Sequence, residues 1–286
     1  PPLGGSELGR GETVRVIGTI LKYILALFWL FVTGFPFAFI FMSSLKGMME
    51  YFTSSIWALP EQFQFGNYAQ VLQAGFHRYF FNSLLVTSVA VFIVVISASM
   101  AANAIARFKF RWGGAVYALF LAGMMIPIHV TLIPVYNMTR QLGMYDSLLG
   151  LIGPYVAYSL PVSIFIFVGF IKEIPIELEE AAVVDGANRY QIYWHVILPV
   201  IKPAISTVAI YNMVMLWNEF IYALVLLSSP AKWILTLGLW NFRGEYGIHV
   251  PLVMAGLVLS VLPLIIAYIF FHEQIIKGMT AGSVKG

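Results

Sequence analysis

The residues that most often perform chemistry in proteins form no catalytic or metal-binding pattern in this chain. It has no cysteine, which excludes disulfides, zinc–thiolate sites, iron–sulfur clusters and thiol catalysis. His272 and Glu273 are adjacent, but Ile276 stands where an HExxH zinc motif has its second histidine. Gly4 and Gly9 have the spacing of the two glycines in a nucleotide-binding loop. Gly9 is followed by Arg10 and Gly11, however, where that loop has a lysine and then a serine or threonine. We therefore expect no catalytic residue, no metal site and no cofactor held by this chain.

A polar group in an apolar stretch is the remaining candidate for solute binding. On insertion scales a carboxylate in a membrane span costs at least about 2.5 kcal/mol, so Glu219 must face protein or water. In one interpretation Glu219 lines a substrate pathway, and the other candidate pathway residues are Asn212, Trp217 and Asn218. In the other interpretation Glu219 pairs with a neighbouring helix or with a partner chain.

A polar segment in the second half of the chain predicts a helical hairpin over about 173–200. Pro175 suits the first turn of a helix, where its missing N–H costs nothing, and the acidic residues after it favour a helix N-terminus. Gly186 can adopt the left-handed conformation that ends a helix, and Asn188 can cap the start of the next one. Pro199 closes the second short helix.

Composition places this hairpin in a membrane protein. Of the 286 residues, 60% are hydrophobic and 10% are charged, whereas soluble domains carry roughly 25% charged residues. A spanning helix needs about 20 mostly apolar residues. Six stretches qualify: about 17–42, 81–106, 113–136, 147–171, 203–228 and 250–271. We therefore predict one all-α integral membrane domain over 15–286, preceded by a disordered lead-in over 1–14.

The lysines and arginines predict how the spans are oriented. Cytoplasmic loops carry an excess of these residues. With the N-terminus inside, eleven of the sixteen lie at cytoplasmic ends of spans. The cluster of Arg107, Lys109 and Arg111 directly after the second span is the firmest marker. Both termini and the hairpin are therefore predicted to be cytoplasmic.

Residue types in the hairpin fit two roles. Tyr190, Tyr193 and Trp194 are large aromatic anchors of the kind that dominate protein interfaces. Small residues beside the turn keep it narrow enough to enter a groove. An amphipathic helix that rests on lipid headgroups would have a similar pattern. Periodicity alone does not separate the two roles.

The spacing within the hairpin resembles a known signature. It matches the EAA motif in permease subunits of bacterial ATP-binding-cassette importers, which has a leading Glu-Ala-Ala, a later glycine and a closing Leu-Pro pair. The matching residues are Glu180, Ala181, Ala182, Gly186, Leu198 and Pro199. Val196 stands where the family has an isoleucine-like residue, which is a conservative departure.

Other segments resemble the carbohydrate branch of that family, in particular its maltose-type, MalG-like subunits. They are Phe-Gly-Asn-Tyr at 65–68, Asn-Ser at 82–83, Trp-Asn-Glu-Phe at 217–220 and the C-terminal segment 277–286. The resemblance extends over most of 15–286. It implies a type I importer permease, with six transmembrane helices and a cytoplasmic coupling-helix hairpin.

The resemblance also implies partners and a location. An importer of this type contains a second permease subunit, expected to be a distinct homologue, and two ATPase subunits that bind ATP and Mg²⁺. An extracellular or periplasmic solute-binding protein delivers a saccharide. The assembly lies in the bacterial cytoplasmic membrane and involves no nucleic acid. Similar subunits carry neutral maltodextrins, disaccharides, acidic oligouronides and glycerophosphate esters.

The family places the coupling helix in a cleft of the ATPase. By resemblance, the coupling residues are Glu180, Ala181, Ala182, Asp185, Gly186, Ala187, Leu198 and Pro199. The tail 281–286 is expected to reach between the ATPases, as in MalG-like subunits.

Two rival functions make different predictions. A secondary transporter driven by an ion gradient would carry ionisable residues on several spans and internal repeats, whereas this sequence has one strong intramembrane acid and no obvious repeat. A membrane-embedded enzyme needs a catalytic motif, which is missing. We therefore expect a non-catalytic permease that couples closure of its ATPase partners to alternating access.

Overall fold

The computed structural model describes residues 5–108, 110–240, 242–244 and 247–281. Helices dominate this part of the chain, because backbone groups in lipid must find their hydrogen-bond partners within the protein. The elements are α1 (Gly5–Ser44), α2 (Met48–Thr53), α3 (Gly66–Gln73), α4 (Phe76–Arg107), α5 (Gly113–Gly123), α6 (Leu132–Gln141), α7 (Leu149–Glu173), α8 (Glu177–Val184), α9 (Arg189–Ile192), α10 (Leu198–Val200), α11 (Lys202–Trp217), α12 (Ile221–Leu226), α13 (Leu235–Trp240), β1 (Arg243–Gly244), β2 (Gly247–Ile248) and α14 (Val250–Ala281). The two short strands pair antiparallel, with Arg243 opposite Ile248.

The apolar stretches of the sequence fall on these helices in the predicted order. In the part of the chain that the structure describes, three helices are long and apolar enough to cross a membrane: Arg15–Ser44 of α1, α4 and α7. Two bent pairs of helices are further candidates, namely α5 with the segment Ile128–Gln141, and Arg189–Val200 with α11. The apolar segment Val250–Ile266 begins α14. The chain is therefore an all-α membrane protein.

Two of the predicted spans are broken rather than continuous. The third turns by 94° between Gly123 and Ile128, where Pro127 is extended with ψ 133°. Proline lacks the N–H that would continue the helix, so the chain leaves helical geometry here instead of kinking within it. The fifth predicted span, 203–228, is interrupted after Trp217 and resumes as α12. By contrast, two prolines lie inside the continuous helix α7.

The N-terminal region differs from the predicted lead-in. Helix α1 begins at Gly5, so residues 5–14, predicted to be disordered, are helical. No proline follows Pro2 before the apolar stretch, so residues 5–14 contain none of the prolines that would interrupt a helix. Residues 1–4 of the lead-in lie outside the described residues.

The chain forms two compact units, of which the first comprises Pro1–Val71 and Arg243–Leu259. In this unit the end of α1 is held by the Phe-Gly-Asn-Tyr segment. Asn67 Nδ2 donates to the carbonyls of Ser44 (2.8 Å) and Lys46 (3.0 Å), and the hydroxyls of Ser44 and Tyr68 lie 2.6 Å apart. Buried Lys46 donates from Nζ to Ser54 Oγ at 3.0 Å.

The second unit comprises Leu72–Phe242 and Ser260–Gly286, and its core lies between α4, α7 and α11. Small residues form the packing face of α4, where Ala98 and Ala102 are fully buried. Small side chains let two helix backbones approach closely in lipid. Phe167 and Ile171 of α7 are buried in the same cluster. This packing fixes the scaffold on which the hairpin is mounted.

Candidate functional site

The first arm of the hairpin is α8, and a left-handed glycine ends it. Gly186 has φ +86°, its N–H donates to Val183 O at 3.0 Å, and Ala187 N donates to Ala182 O at 2.9 Å. These bonds satisfy carbonyls that the end of the helix would leave free. A Cβ added at Gly186 would meet no atom within 4 Å. Glycine is therefore favoured at this position by its backbone conformation, and not by steric contact with the rest of the chain.

The second arm begins with the predicted N-cap. Asn188 Oδ1 accepts from Gln191 N at 3.0 Å, and Gln191 Oε1 accepts from Asn188 N at 2.8 Å. This reciprocal pair is a capping box, which satisfies two free N–H groups of α9. Short α9 then passes into a π-helical turn over Tyr193–Ile197 before α10.

The π turn was not predicted from the sequence. It ends just before Leu198 and Pro199. A proline ring in a regular α-helix clashes with the carbonyl four residues earlier, and a wider turn relieves that clash. The turn also brings the Tyr193 hydroxyl 2.7 Å from Ser99 Oγ of α4, in a buried position.

The motif residues divide between the surface of the hairpin and its base. Those that are exposed are Glu180, Ala181, Asp185, Gly186 and Pro199. Those that are half-buried and packed against the core of the second unit are Ala182, Ala187 and Leu198. The motif therefore has an outward face that can meet another protein and an inward face that attaches to the spans.

The hairpin exposes apolar residues, of which Tyr190 was predicted from the sequence as an anchor and Val183 and Val184 were not. Val184 is 87% exposed and Val183 is 59% exposed, and Tyr190 on the second arm is 75% exposed. Exposed apolar patches usually mark interaction sites. The sequence signal was present, because both valines directly follow the Glu-Ala-Ala triplet.

An arginine at the end of α4 holds the first arm. Arg107 Nε lies 2.5 Å from Glu179 Oε1, and Arg107 Nη2 donates to Ile174 O at 2.7 Å. Only 11% of the Arg107 side chain and 16% of the Glu179 side chain are exposed. Arg189 of the second arm lies over the ring of Phe108, 4.8 Å from its centroid. Both arms are thus fixed at the end of α4.

The interrupted fifth span contains the candidate pathway residue Glu219, whose carboxylate has partners within the chain. Oε1 accepts from Tyr222 N at 2.8 Å, and Oε2 accepts from the hydroxyl of Tyr155 at 2.7 Å and from Ala223 N at 3.4 Å. The carboxylate therefore caps the start of α12, where a negative charge is favourable. Glu219 therefore pairs with a neighbouring helix, which was one of the two interpretations that the sequence allowed.

The other candidate pathway residues do not share one surface. Asn212 is 1% exposed and donates to Ser163 Oγ (2.9 Å) and Val208 O (2.8 Å). Trp217 is 3% exposed and meets the ring of Phe80 edge-on at 5.7 Å. Asn218 is exposed and donates to the Val214 carbonyl at 2.8 Å. Asn218 is thus the member of the group that presents a polar side chain at the surface.

A carboxylate between α6 and α7 ties that loop to the loop after α12. Asp146 accepts from the N–H groups of Ser228 and Ser229, both at 2.9 Å, from Ser229 Oγ at 2.5 Å, and from Lys232 Nζ at 3.2 Å. The hydrogen bonds from the side chain and backbone of Ser229 are the main reason that the pKa of Asp146 lies well below its usual range. Asp146 also has φ +53°.

Comparison with known proteins identifies relatives along nearly the whole chain. The ORF2 protein of Caldicellulosiruptor sp. strain Rt8B.4, named as an ABC transporter permease, is 48% identical over 264 residues, which cover 92% of this chain and 96% of that protein. The diacetylchitobiose uptake system permease protein NgcG of Streptomyces coelicolor is 31% identical over 268 residues, covering 93% and 88%.

A solved structure has the same fold. It is a chain of a bacterial ABC transporter involved in the import of the acidic polysaccharide alginate, with a TM-score of 0.79 and 24% sequence identity, covering 96% of this chain and 99% of the other. The family model described as "Binding-protein-dependent transport system inner membrane component" matches residues 93–281, which include the hairpin and the interrupted fifth span. The chain therefore belongs to the family of inner-membrane components of binding-protein-dependent transport systems.

Proposed function

We propose that this chain is the permease subunit of an ATP-driven saccharide importer, and that the hairpin α8–α10 couples its spans to an ATPase partner. One observation carries the proposal: the hairpin has an exposed apolar tip, with Val184 87% exposed, on a base that is packed into the core of the spans. A segment that only rests on lipid headgroups would not need its base buried in that core.

The tip suits insertion into a cleft of another protein. Ala181 and Gly186 are exposed and small, so the turn is narrow, and the space around a Cβ at Gly186 is open. Val183, Val184 and Tyr190 provide apolar area and an aromatic anchor. Glu180 and Asp185 add exposed carboxylates beside them, suited to basic groups in the cleft.

Separate subunits supply the ATP hydrolysis in this proposal. The chain has no nucleotide-binding motif of its own, while its relatives are named as permeases of ABC transporters. ATP and Mg²⁺ are therefore bound by two partner ATPases, and this chain binds no cofactor. Closure of the ATPases moves the hairpins, and the spans alternate between inward-open and outward-open states. ATP and the loaded binding protein bias this equilibrium because they bind the two states with different affinities.

A saccharide is the proposed substrate class. NgcG is named for uptake of diacetylchitobiose, and the structurally similar transporter is described as importing alginate. Both are saccharides, one neutral and one acidic. A solute-binding protein outside the membrane delivers the substrate, and a second, distinct permease subunit completes the pathway.

Charge supports an orientation with both termini and the hairpin in the cytoplasm. Arg107 and Arg111 lie at the end of α4, and Arg189 lies in the second arm of the hairpin beside them. Positively charged residues at the ends of spans are retained on the cytoplasmic side. In this proposal the protein lies in the bacterial cytoplasmic membrane, with the hairpin facing the ATPases. The tail 281–286 is predicted to reach between the ATPases. Residues 282–286 of this tail lie outside the described residues.

Site-specific crosslinking tests the proposal. The chain has no native cysteine, so Val184→Cys provides a single thiol at the hairpin tip. In membranes that contain the whole transporter, a short reagent with a thiol-reactive group at one end and a photoactivatable group at the other should join this position to an ATPase subunit. Leu142→Cys is the matched control, because Leu142 is also exposed (63%) but follows α6 on the predicted outer side. Absence of ATPase capture at position 184, or equal capture at position 142, would contradict the proposal.

A further inference from the structure

One ridge of α4 faces the hairpin along its length. Ser99, Asn103 and Arg107 are spaced four residues apart and therefore lie along one side of the helix. Ser99 contacts Tyr193 of the second arm, and Arg107 contacts Glu179 of the first arm. The two contacts connect the same span to both arms of the hairpin.

The contact at the end of α4 joins three helices. The guanidinium of Arg107 binds the Glu179 carboxylate of α8 and also the carbonyl of Ile174, the residue that follows α7. Arginine presents several donors in a rigid fork, so one side chain can hold two acceptors at once. A cation also suits the C-terminal end of a helix, which is where Arg107 and Ile174 O lie. The arrangement fixes α8 relative to both spans.

The contact deeper in the bundle is a buried hydroxyl pair. Ser99 Oγ lies 2.7 Å from the hydroxyl of Tyr193, and Ser99 also donates to Ile96 O at 3.1 Å. Tyr193 is 5% exposed and belongs to the same core cluster as Ala98 and Ala102. The second arm is thus anchored in the bundle by a polar contact within apolar packing.

A groove of about 480 Å³ lies beside the contact between Arg107 and Glu179. Its lining also includes Asn103, Val183 and Ile192. Within the described residues the side-chain oxygen of Asn103 is buried without a hydrogen-bond partner. Part of the hairpin is therefore not packed onto α4, although its base is buried in the core of the spans. The polar contacts add fixed geometry to the apolar packing of the base, which is not directional.

We infer that Arg107 and Ser99 are positioning residues that make α4 the span driven by the hairpin. The inference rests on the proposed coupling function. When the ATPases move the hairpin, the Arg107–Glu179 ion pair and the Ser99–Tyr193 hydrogen bond carry α4 with it. Without them the hairpin still binds the ATPase, but it shifts relative to α4 because apolar packing alone does not fix the direction of the contact.

A distance measurement tests whether the two elements move together. Spin labels are placed at Leu178→Cys of α8 and Leu85→Cys of α4, two exposed positions (46% and 55%) in an otherwise cysteine-free chain. The complete transporter is measured without nucleotide and after ATP hydrolysis with ADP–Mg²⁺ trapped by vanadate. The inter-label distance should be the same in both states in the otherwise unaltered chain.

In variants that lack the two contacts, the inter-label distance should no longer be the same in both states. Arg107→Gln combined with Tyr193→Phe deletes the ion pair and one hydroxyl while leaving the ring packing in place. The inter-label distance should then shift with ATP by about 1–2 Å or more, the scale of helix displacements at interfaces. Arg111→Gln is the matched control, since Arg111 is exposed and stacks on the neighbouring Trp112, and its distance should stay constant.

A charge exchange separates positioning from loss of folding. Arg107→Glu with Glu179→Arg restores an ion pair of reversed polarity and should reduce the ATP-dependent shift seen with Arg107→Glu alone. If the distance stays constant in the Arg107→Gln, Tyr193→Phe variant while Val184→Cys still captures the ATPase, the positioning role is wrong and the coupling function stands. If capture at position 184 fails in the unaltered chain, the coupling function itself is wrong.

Discussion

Gly186 is the hairpin residue whose backbone conformation most restricts its replacement. A non-glycine residue in the left-handed region costs about 1–2 kcal/mol, although nothing in the chain would touch its Cβ. Gly186→Ala and Gly186→Arg therefore carry the same strain, but only arginine adds bulk at a surface that we assign to the ATPase cleft.

Comparison of these two variants separates strain from docking. Gly186→Arg should abolish ATP-driven uptake while insertion into the membrane is retained, because the side chain blocks the cleft. Gly186→Ala should retain a substantial part of the uptake. Uptake by membrane vesicles and the amount of permease in the membrane fraction are the two measurements. Normal uptake by Gly186→Arg would be incompatible with a coupling role for this turn.

Glu219 is a second position where the structure makes a residue-scale prediction. Its removal leaves Tyr222 N–H and the hydroxyl of buried Tyr155 without their acceptor. An unsatisfied buried polar group costs about 1–3 kcal/mol. Glu219→Ala should therefore lower the Tm of the purified permease, whereas Asn218→Ala at the exposed neighbouring position should leave it nearly unchanged.

Transport by the same variants distinguishes the two interpretations of Glu219. If its role is structural, the Glu219→Ala transporter that remains folded should import substrate at the normal rate and with the normal preference. A variant of normal stability that transports poorly, or prefers a different saccharide, would instead place Glu219 in the substrate pathway.

At the scale of elements, the packing of α4 on α7 depends on small residues. Ala98 and Ala102 are fully buried, so Ala102→Leu must push the helices apart or strain a side chain. Overpacking of this kind costs about 1–3 kcal/mol. Met100→Leu, on an exposed face of the same helix (45%), is the control and should be nearly neutral. Thermal unfolding of the two purified variants makes the comparison, and an equally stable Ala102→Leu would show that the helices are not closely packed.

The loop after α6 gives a pH-dependent prediction. Because the pKa of Asp146 is lower in the folded chain than its unfolded value of about 3.9, the carboxylate stabilises the folded loop at pH values above that value. This contribution decreases as the pH falls towards the folded pKa. Asp146→Asn should therefore reduce Tm at pH 7 more than at pH 3. An equal reduction at both pH values would mean that the charge does not hold the two loops together.

Local signals in the sequence predicted the hairpin well and the breaks in the spans poorly. The left-handed Gly186 and the N-cap Asn188 depend on neighbouring residues, so both could be predicted and both are confirmed. The π turn before Pro199 and the sharp bend before Ile128 are alternative responses to proline, which sequence alone does not distinguish from a kink. The interruption after Trp217 is stabilised by Glu219 through Tyr155, a residue far away in the sequence.

The attachment of the hairpin to α4 could not be predicted for a related reason. Arg107 and Glu179 are widely separated in the sequence. From the sequence alone, Arg107 indicates the orientation of the spans, and Glu179 is one of the acidic residues that indicate the start of a helix. Their pairing depends on how α4 packs against α7. The candidate pathway residues were grouped because most of them are polar. Their exposure depends instead on how each helix is oriented, which leaves Asn212 buried and Asn218 exposed.

At the scale of the whole molecule, we propose that this chain transmits motion and leaves the chemistry to its partners. In this proposal the exposed face of the hairpin meets a partner, while the buried face joins the core of the spans and Arg107 with Ser99 connects both arms to α4. A carrier driven by an ion gradient would need no such exposed hairpin. The energy source of transport is therefore the property that most directly separates this account from its rival.

Uptake by reconstituted vesicles measures that property. The complete transporter is placed in proteoliposomes with its solute-binding protein, and entry of a panel of labelled saccharides is followed with ATP only on the hairpin side, or with a proton or sodium gradient only. We expect uptake of at least one saccharide with ATP and without any gradient, and we expect this uptake to be lost in Gly186→Arg. Uptake supported by a gradient in the absence of ATP would contradict it.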